Sequence, residues 1–273
     1  MNIVVFVKPV PNPDYYDKIT IDTKTKRLVR DGIPTVINHA DMCALEHALQ
    51  IKENNGGTVT VISMAPMFNA YEMEKCLALG ADNAYLVSDR AFGGADTWAT
   101  SYTLTKALEK TGIKADLILA GNDSADGATS HVPSQVGEWL SLPHLSNITS
   151  ITDVSKESVK ASKLIETGSI LYEVKLPAVL AVTKNSIEPR LMSAYGVKSL
   201  RNKEVTVFTK EDLPVDESKI GLVGSPTQPG EIMVHNMKRN SVELDGTESE
   251  IAQQLIDIFK KAGVKVDGGE IPC

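Results

Sequence analysis

The residues best suited to chemistry in this chain of 273 residues lie between Leu117 and Gly137, in the stretch LILAGNDSADGATSHVPSQVG. An apolar run from Asp116 to Ala120 ends at Gly121, where glycine tolerates the positive φ of a sharp turn. Asn122, Asp123, Ser124, Asp126, Thr129 and Ser130 follow, all short side chains that donate or accept hydrogen bonds, and Gly127 lets backbone approach a ligand closely. The spacing predicts a helix starting near Thr129 or Ser130, whose free N–H groups would face the loop and favour an anion such as a diphosphate. An ordinary strand-to-helix connection with an N-cap explains the same residues equally well. A Walker-type loop is excluded, because no lysine follows the glycine at the required spacing.

The rest of the composition narrows the classes. A net charge of −7 argues against a general nucleic-acid binder or a membrane-surface protein. No apolar run approaches a membrane span, and the first residues follow a strand pattern instead of a signal peptide, so a cytoplasmic protein is expected. Cys43, Cys76 and Cys273 are too few and scattered for a disulfide framework, and the first two read as small core residues. His39, Asp41 and His47 can be drawn as a metal site, but a helix start explains them better, and no metal is expected.

The elements that must position the loop come before it. Asn2 to Val7 reads as a strand buried on both faces, which Pro9, Pro11 and Pro13 stop from continuing. Thr20 to Arg30 alternates like a surface hairpin. Asn38 or Asp41 caps a helix whose apolar residues recur through Ala44, Leu45, Ala48, Leu49 and Ile51, and Gly56-Gly57 ends it. Thr58 to Met64 and Asn83 to Val87 are further strands; helices follow each, the second one capped by Asp96 or Thr97. Four strand–helix units predict a parallel sheet covered by helices on both faces. In such sheets ligands bind outside the carboxyl ends of the strands, here Lys8 to Pro11, Met64 to Pro66, Ser88 to Thr97 and Gly121 to Ser130. A nucleotide site is expected there.

Downstream, Ser158 to Ile165 and Ser169 to Lys175 form a hairpin signal around Glu166-Thr167-Gly168, and Ala178 to Val182 reads as another buried strand. Glu188-Pro189-Arg190 breaks that strand, and Leu191 to Arg201 reads by itself as a surface loop or short helix. After Phe208 the period is lost. Pro214, Pro226 and Pro229, with Gly221, Gly224 and Gly230, describe an extended arm ending in an amphipathic helix over Glu248 to Ala262, with Ile251, Leu255, Ile258 and Phe259 on one face. Such a helix must dock on its own domain or on a partner. The expected division is a nucleotide-binding domain over 1–208, with a protruding segment near 188–201, and an arm over 209–273.

In their order and spacing, VKPVP at 7–11, INHADMCALEHAL at 37–49, ALGAD at 78–82, the 117–137 loop and KLPAVLAVTKNSIEPR at 175–190 resemble the β subunit of electron-transfer flavoprotein. The resemblance implies a doubly wound α/β fold of the adenine-nucleotide α-hydrolase-like type. It implies a soluble heterodimer with a larger α subunit that carries FAD, and a second nucleotide in the β subunit: AMP in the mitochondrial type, FAD in the bifurcating type. Matching positions place nucleotide contacts at Phe6 and Lys8 through backbone, at Asn38 to Asp41, at Met64, and along Gly121, Asn122, Asp123, Ser124, Asp126, Gly127, Ala128, Thr129, Ser130, His131 and Val132. Asp126-Gly127-Ala128-Thr129 with Gln135 looks like the DGxT…Q pattern of flavin-binding β subunits, which favours FAD.

The same resemblance places AFGGADT at 91–97, with Gly93, Asp96 and Thr97, beside an NADH that would deliver hydride. Electrons would then divide between a flavin dehydrogenase, reached through the α-subunit FAD, and ferredoxin or flavodoxin. The chain would supply binding and orientation instead of a covalent catalytic residue. Departures from the family pattern are informative. Ala128 and His131 replace a common Asp and Gln, and the hairpin at Glu166-Thr167-Gly168 lacks the usual acidic-glycine cluster. In the segment after the EPR motif, the position of the family's anchoring leucine is Ala194, so Leu191, Met192 or Tyr195 would supply the apolar contact. The dehydrogenase is therefore left open between an acyl-CoA and a hydroxy-acid type. Two rival classes fit less well: an ATP-acting hydrolase lacks its SGGxDS and HxGH motifs, and a nucleotide-sensing scaffold does not account for the arm and protrusion.

Overall fold

A computed structural model describes residues 1–18, 20–22, 27–29, 32–228 and 241–264. Its elements run β1 (Asn2–Phe6), β2 (Pro9–Pro11), β3 (Thr20–Asp22), β4 (Arg27–Val29), β5 (Thr35–Ile37), α1 (His39–Asn55), β6 (Thr58–Met64), α2 (Ala70–Leu79), β7 (Asn83–Val87) and α3 (Thr97–Thr111). There follow β8 (Leu117–Gly121), α4 (Val132–Leu140), β9 (His144–Thr152), β10 (Ser158–Ile165), β11 (Gly168–Lys175), β12 (Ala178–Val182), α5 (Ala194–Ser199), β13 (Val205–Phe208) and α6 (Glu248–Lys261).

Among the described residues, nine strands form one sheet in the order β11-β10-β9-β12-β8-β1-β6-β7-β13. The pairs from β9 through β12, β8, β1, β6 and β7 to β13 are parallel, and β9, β10 and β11 pair antiparallel. Successive side chains of a strand alternate between two faces, and the core divides accordingly. Ile3, Val5, Val59, Val61, Leu117, Leu119 and Leu180 pack with α1 and α2. Val4, Phe6, Ile62, Ile118, Ala120 and Val179 pack on the other face with Tyr102, Leu104 and Leu108 of α3 and Val136 of α4. Helices cover both faces, so the sheet is doubly wound. From β1 the chain moves outward through β6 and β7, then returns to place β8 on β1's other side. The order therefore reverses between β1 and β8, and the crevice of such a sheet opens outside the carboxyl ends of those two strands.

Several local expectations change. The helix after the loop begins at Val132, with His131 at its N-cap position, and not at Thr129 or Ser130. Ala128 and Ser130 adopt φ of 48° and 57°, left-handed backbone that cannot belong to a helix. Gly121 carries no positive φ; its role is close approach, because a Cβ there would collide with the Asp41 carboxylate and with Ala40. Four strands have no counterpart in the sequence reading: β9 and β13 of the main sheet, and the short β2 and β5, which pair with each other. In β9 only Ile148 is fully buried, so its period-2 signal is faint. The hairpin turns through Glu166-Thr167 alone, with Ile165 paired to Gly168.

Contacts divide the chain into two units, Met1–Glu231 and Ile232–Cys273. Within the first, the stretch after Phe208 buries Leu213, Ile220 and Ser225. Within the second, α6 opens on a capping box in which the Thr247 N–H and hydroxyl both donate to Glu250 Oε2 at 2.8 Å, and Leu255, Ile258 and Phe259 stay exposed. Arg30 of the expected hairpin, Pro229 and Gly230 of the expected arm, and Cys273 lie outside the described residues.

Leu119, fully buried in the middle of β8, and Ser169, exposed on β11, give a contrast. Leu119→Ala is expected to destabilise the fold by about 2–5 kcal/mol. Ser169→Ala should stay within about 0.5 kcal/mol of wild type. Denaturant unfolding of both variants checks the assignment of β8 to the core.

Candidate nucleotide site

Asp41, in the first turn of α1, bridges the ends of β1 and β8. The Lys8 N–H donates to its Oδ2 at 2.8 Å, and the Gly121 N–H donates to its Oδ1 at 2.8 Å. Both N–H groups sit where the sheet ladder runs out, so one carboxylate satisfies two donors that would otherwise be orphaned. Burial pushes the Asp41 carboxyl up to about 7, against the pull of these two donors and of the Lys8 charge. Asn38 precedes it at the N-cap position but makes no side-chain cap bond. Its amide reaches across instead: Nδ2 donates to the Asp123 carbonyl at 2.7 Å and Oδ1 accepts from the Ala125 N–H at 3.2 Å. The Lys8 carbonyl accepts from the Asn38 N–H at 2.9 Å. The start of α1 thus holds both walls of the crevice.

The loop itself is pinned from below and open above. Lys8 Nζ donates to Ser124 Oγ at 3.2 Å and pairs with Asp126 Oδ1 at 2.5 Å, and the Asp126 side chain is only 5% exposed. The Ser124 carbonyl accepts from the Ala128 N–H at 2.8 Å. Asn122 is spent on the scaffold, since its Oδ1 accepts from the Asn147 N–H at 2.9 Å and its own N–H donates to the Val182 carbonyl at 2.7 Å. Asp123, Gly127, Ala128, Thr129, Ser130 and His131 are exposed, and Phe6 and Met64 end the neighbouring strands, Phe6 buried and Met64 half-buried. The first turn of α4 has N–H groups without intrahelical partners, and left-handed residues at 128 and 130 shape the backbone just ahead of it. An anion set against Thr129 to Val132 meets the positive end of α4. One turn further on, Gln135 Oε1 is buried and finds no hydrogen-bond donor among the described residues. A buried acceptor left so is costly, and a ligand hydroxyl or ring N–H would satisfy it. The exposed hydroxyls and the backbone N–H groups of this loop are of the kind that hold phosphates.

Among the described residues, no hydrogen bond ties the other two groups of expected site residues to this cradle. Gly93 is exposed, while Asp96 serves as a structural hub at the start of α3. Its carboxylate accepts from the Ala99 N–H at 3.0 Å, and from the Thr227 N–H at 2.9 Å and hydroxyl at 2.6 Å, while its own N–H donates to Ser225 Oγ at 2.8 Å. Burial pushes the Asp96 carboxyl upward, but the Thr227 and Ala99 donors outweigh it and hold the group below its ordinary range. Thr97 begins the helix. Leu191, Met192, Ala194 and Tyr195 are all exposed on the segment around α5. Sequence reasoning missed the Lys8 ammonium, Ser225 and Thr227. No local pattern marks them, because each acts on a partner more than a hundred residues away. Among the described residues no three His, Cys, Asp or Glu side chains gather as a metal site.

The chain matches the family described as "Electron transfer flavoprotein domain" over residues 25–213. It is 38% identical to electron transfer flavoprotein subunit beta of Thermoanaerobacterium thermosaccharolyticum over 258 residues, 94% of this chain and 97% of that protein. It is 39% identical to caffeyl-CoA reductase-Etf complex subunit CarD of Acetobacterium woodii over 265 residues, 96% and 98% of the two chains. It is also 37% identical to electron transfer flavoprotein subunit beta of Clostridium acetobutylicum over 261 residues, 96% and 98% of the two.

The Asp41 bridge predicts its own pH dependence. Asp41→Asn replaces one acceptor by a donor that faces an N–H, and is expected to cost about 1–3 kcal/mol at mildly acidic pH. Because the folded-state pKa is raised from 3.8 to about 7, the carboxyl's contribution is fully present below the unfolded pKa and is lost as pH rises through the folded one. Thermal melts of the two proteins should therefore show the wild-type advantage shrinking between about pH 4 and pH 7.

Proposed function

Because the chain belongs to the electron transfer flavoprotein family, among its β subunits, we propose that it binds FAD at the β1–β8 crevice, pairs with the family's α subunit and accepts electrons from NADH. The observation that carries the ligand assignment is the cradle itself: a pinned loop under the open N-terminus of α4, with the buried, unpartnered Gln135 Oε1 one turn behind. The DGxT…Q pattern at Asp126, Gly127, Ala128, Thr129 and Gln135 supports FAD over AMP. The likeness to a subunit of a caffeyl-CoA reductase complex supports a flavin dehydrogenase as the electron acceptor.

The bound flavin supplies hydride acceptance from NADH and release of its two electrons separately, one through the α-subunit FAD to the dehydrogenase and one to ferredoxin or flavodoxin. The chain's own part is binding and positioning. Thr129, Ser130 and the first N–H groups of α4 hold the phosphates. Lys8 fixes Asp126 and so the loop. Phe6 and Met64 bring strand-end backbone to the adenine, and Gln135 accepts from the ligand's polar body. Gly93 to Thr97, held by Ser225 and Thr227, forms the wall beside NADH. The segment 188–201 docks the dehydrogenase through Leu191, Met192 and Tyr195, with Ala194 between them. The apolar face of α6 docks on the α subunit, and the complex works in the cytoplasm.

The test is to purify the heterodimer and count its cofactors. Two FAD per heterodimer, with bleaching by NADH, supports the reading; one FAD with one AMP overturns it. The variant Asp126→Ala/Thr129→Ala should lose the β-site nucleotide and keep the α-subunit FAD. If both cofactors remain, the nucleotide lies elsewhere.

A further inference from the structure

The segment after Glu188-Pro189 is anchored to the first unit at three points. At its start, the Arg190 guanidinium lies across α1 on two carboxylates. Nε donates to Glu46 Oε2 at 2.7 Å and Nη2 to Glu46 Oε1 at 3.0 Å. Nη1 donates to Glu53 Oε1 at 2.5 Å and Nη2 to Glu53 Oε2 at 3.1 Å, while the Arg190 backbone N–H adds a bond to Glu46 Oε2 at 3.2 Å. Glu46 is buried, and Gln50 Nε2 donates to it at 2.9 Å, so this is a bidentate, partly desolvated pair and not a surface contact. In the middle, Gly196 of α5 lies against α2 so closely that a Cβ would strike the Ala78 carbonyl. At the end, Lys203 Nζ donates to the carbonyls of Ala81 at 2.6 Å and Leu77 at 3.3 Å, closing the C-terminus of α2.

The anchors leave the outward side chains unused. Leu191 is 91% exposed and Tyr195 82%, with Met192 and Val197 beside them. Lys198 and Arg201 are exposed on the same segment, and no carboxylate occurs between Leu191 and Lys203 in a chain whose net charge is −7. An apolar row with a cationic rim suits a hydrophobic depression bordered by carboxylates on a protein partner. Fixing the backbone beforehand removes the ordering cost of association.

We propose that Arg190 is the positioning residue of the docking segment. By clamping its start to Glu46 and Glu53, with Gly196 and Lys203 holding the middle and end, it pre-orders residues 191–203 for a flavin dehydrogenase with an acidic-rimmed apolar depression. The inference rests on the docking role assigned to this segment under the proposed function.

The test uses the heterodimer carrying Arg190→Gln, Arg190→Lys or Gly196→Ala. Without any partner, hydrogen exchange of the 194–203 amides should rise about tenfold in Arg190→Gln, with β1, β6 and β8 protected as in wild type. Unchanged exchange overturns the clamp. An acyl-CoA dehydrogenase and a flavin-dependent 2-hydroxy-acid dehydrogenase are then titrated side by side as electron acceptors. Arg190→Gln and Gly196→Ala should raise KM for the accepting dehydrogenase about tenfold, with kcat within about twofold. Arg190→Lys should be intermediate, because an ammonium cannot fork across two carboxylates. Gly196→Ala keeps the test open if Arg190→Gln fails to fold, since it leaves the buried Glu46 paired. Leu191→Ser separates the two claims. If it raises KM and the Arg190 and Gly196 variants do not, docking stands and positioning is refuted. If neither dehydrogenase accepts electrons, or no variant moves KM, the docking reading falls and the positioning claim with it.

Discussion

One buried carboxylate sets the spacing of the crevice. Where β1 and β8 end, their chains leave for different parts of the fold, and the N–H groups of Lys8 and Gly121 lose their ladder partners. Asp41 takes both. The arrangement forces glycine at 121, because the carboxylate occupies the place of a side chain there. It also fixes the start of α1 between the two strands, from which Asn38 can reach Asp123 and Ala125. The loop that would hold a diphosphate is therefore a consequence of how the sheet's reversal point is closed. The same closure places an ionisable group in a buried setting, and its carboxyl titrates far above the usual range.

Much of this was legible in the residues. The run Asn2 to Val7 announces a strand buried on both faces, since such strands are rich in apolar side chains, and Thr58 to Met64 announces a second strand. Four strand–helix units with polar junctions at their carboxyl ends point to one rim, and the structure gathers Lys8, Asn38, Asp41 and Asp126 there. What could not be read were roles that depend on a distant partner. Asp41 reads locally as a helix-start residue, and its service to Gly121 eighty residues away leaves no periodic trace. Asp96 reads correctly as a cap, yet its grip on Thr227 becomes visible only when the strap after Phe208 returns over α3. The missing strand β9 has a different cause: HLSNITSIT is mostly polar, and of its residues only Ile148 is buried, so no alternation announces it. The helix start was placed too early because Thr129 and Ser130 are good caps in isolation, whereas left-handed backbone at Ala128 and Ser130 delays the helix until Val132.

The site assigns work in an unusual proportion. Asp41, Lys8 and Asp126 bond to the protein's own backbone and to one another, and the exposed loop positions offer backbone N–H groups, hydroxyls and the side chains of Asp123 and His131. Under the proposed function, such a cradle holds and orients a ligand. This agrees with membership of a family whose members move electrons through a bound cofactor. The segment around α5 is tied down through charged and backbone contacts, while its apolar side chains are left exposed.

The most direct measurement of the central claim is a crystal structure of the heterodimer with its nucleotide bound. The account predicts diphosphate density against the N–H groups from Thr129 to the first turn of α4, with Gln135 Oε1 accepting a hydrogen bond from the ligand. A diphosphate seated elsewhere on the chain, with Gln135 still unpartnered, would contradict it.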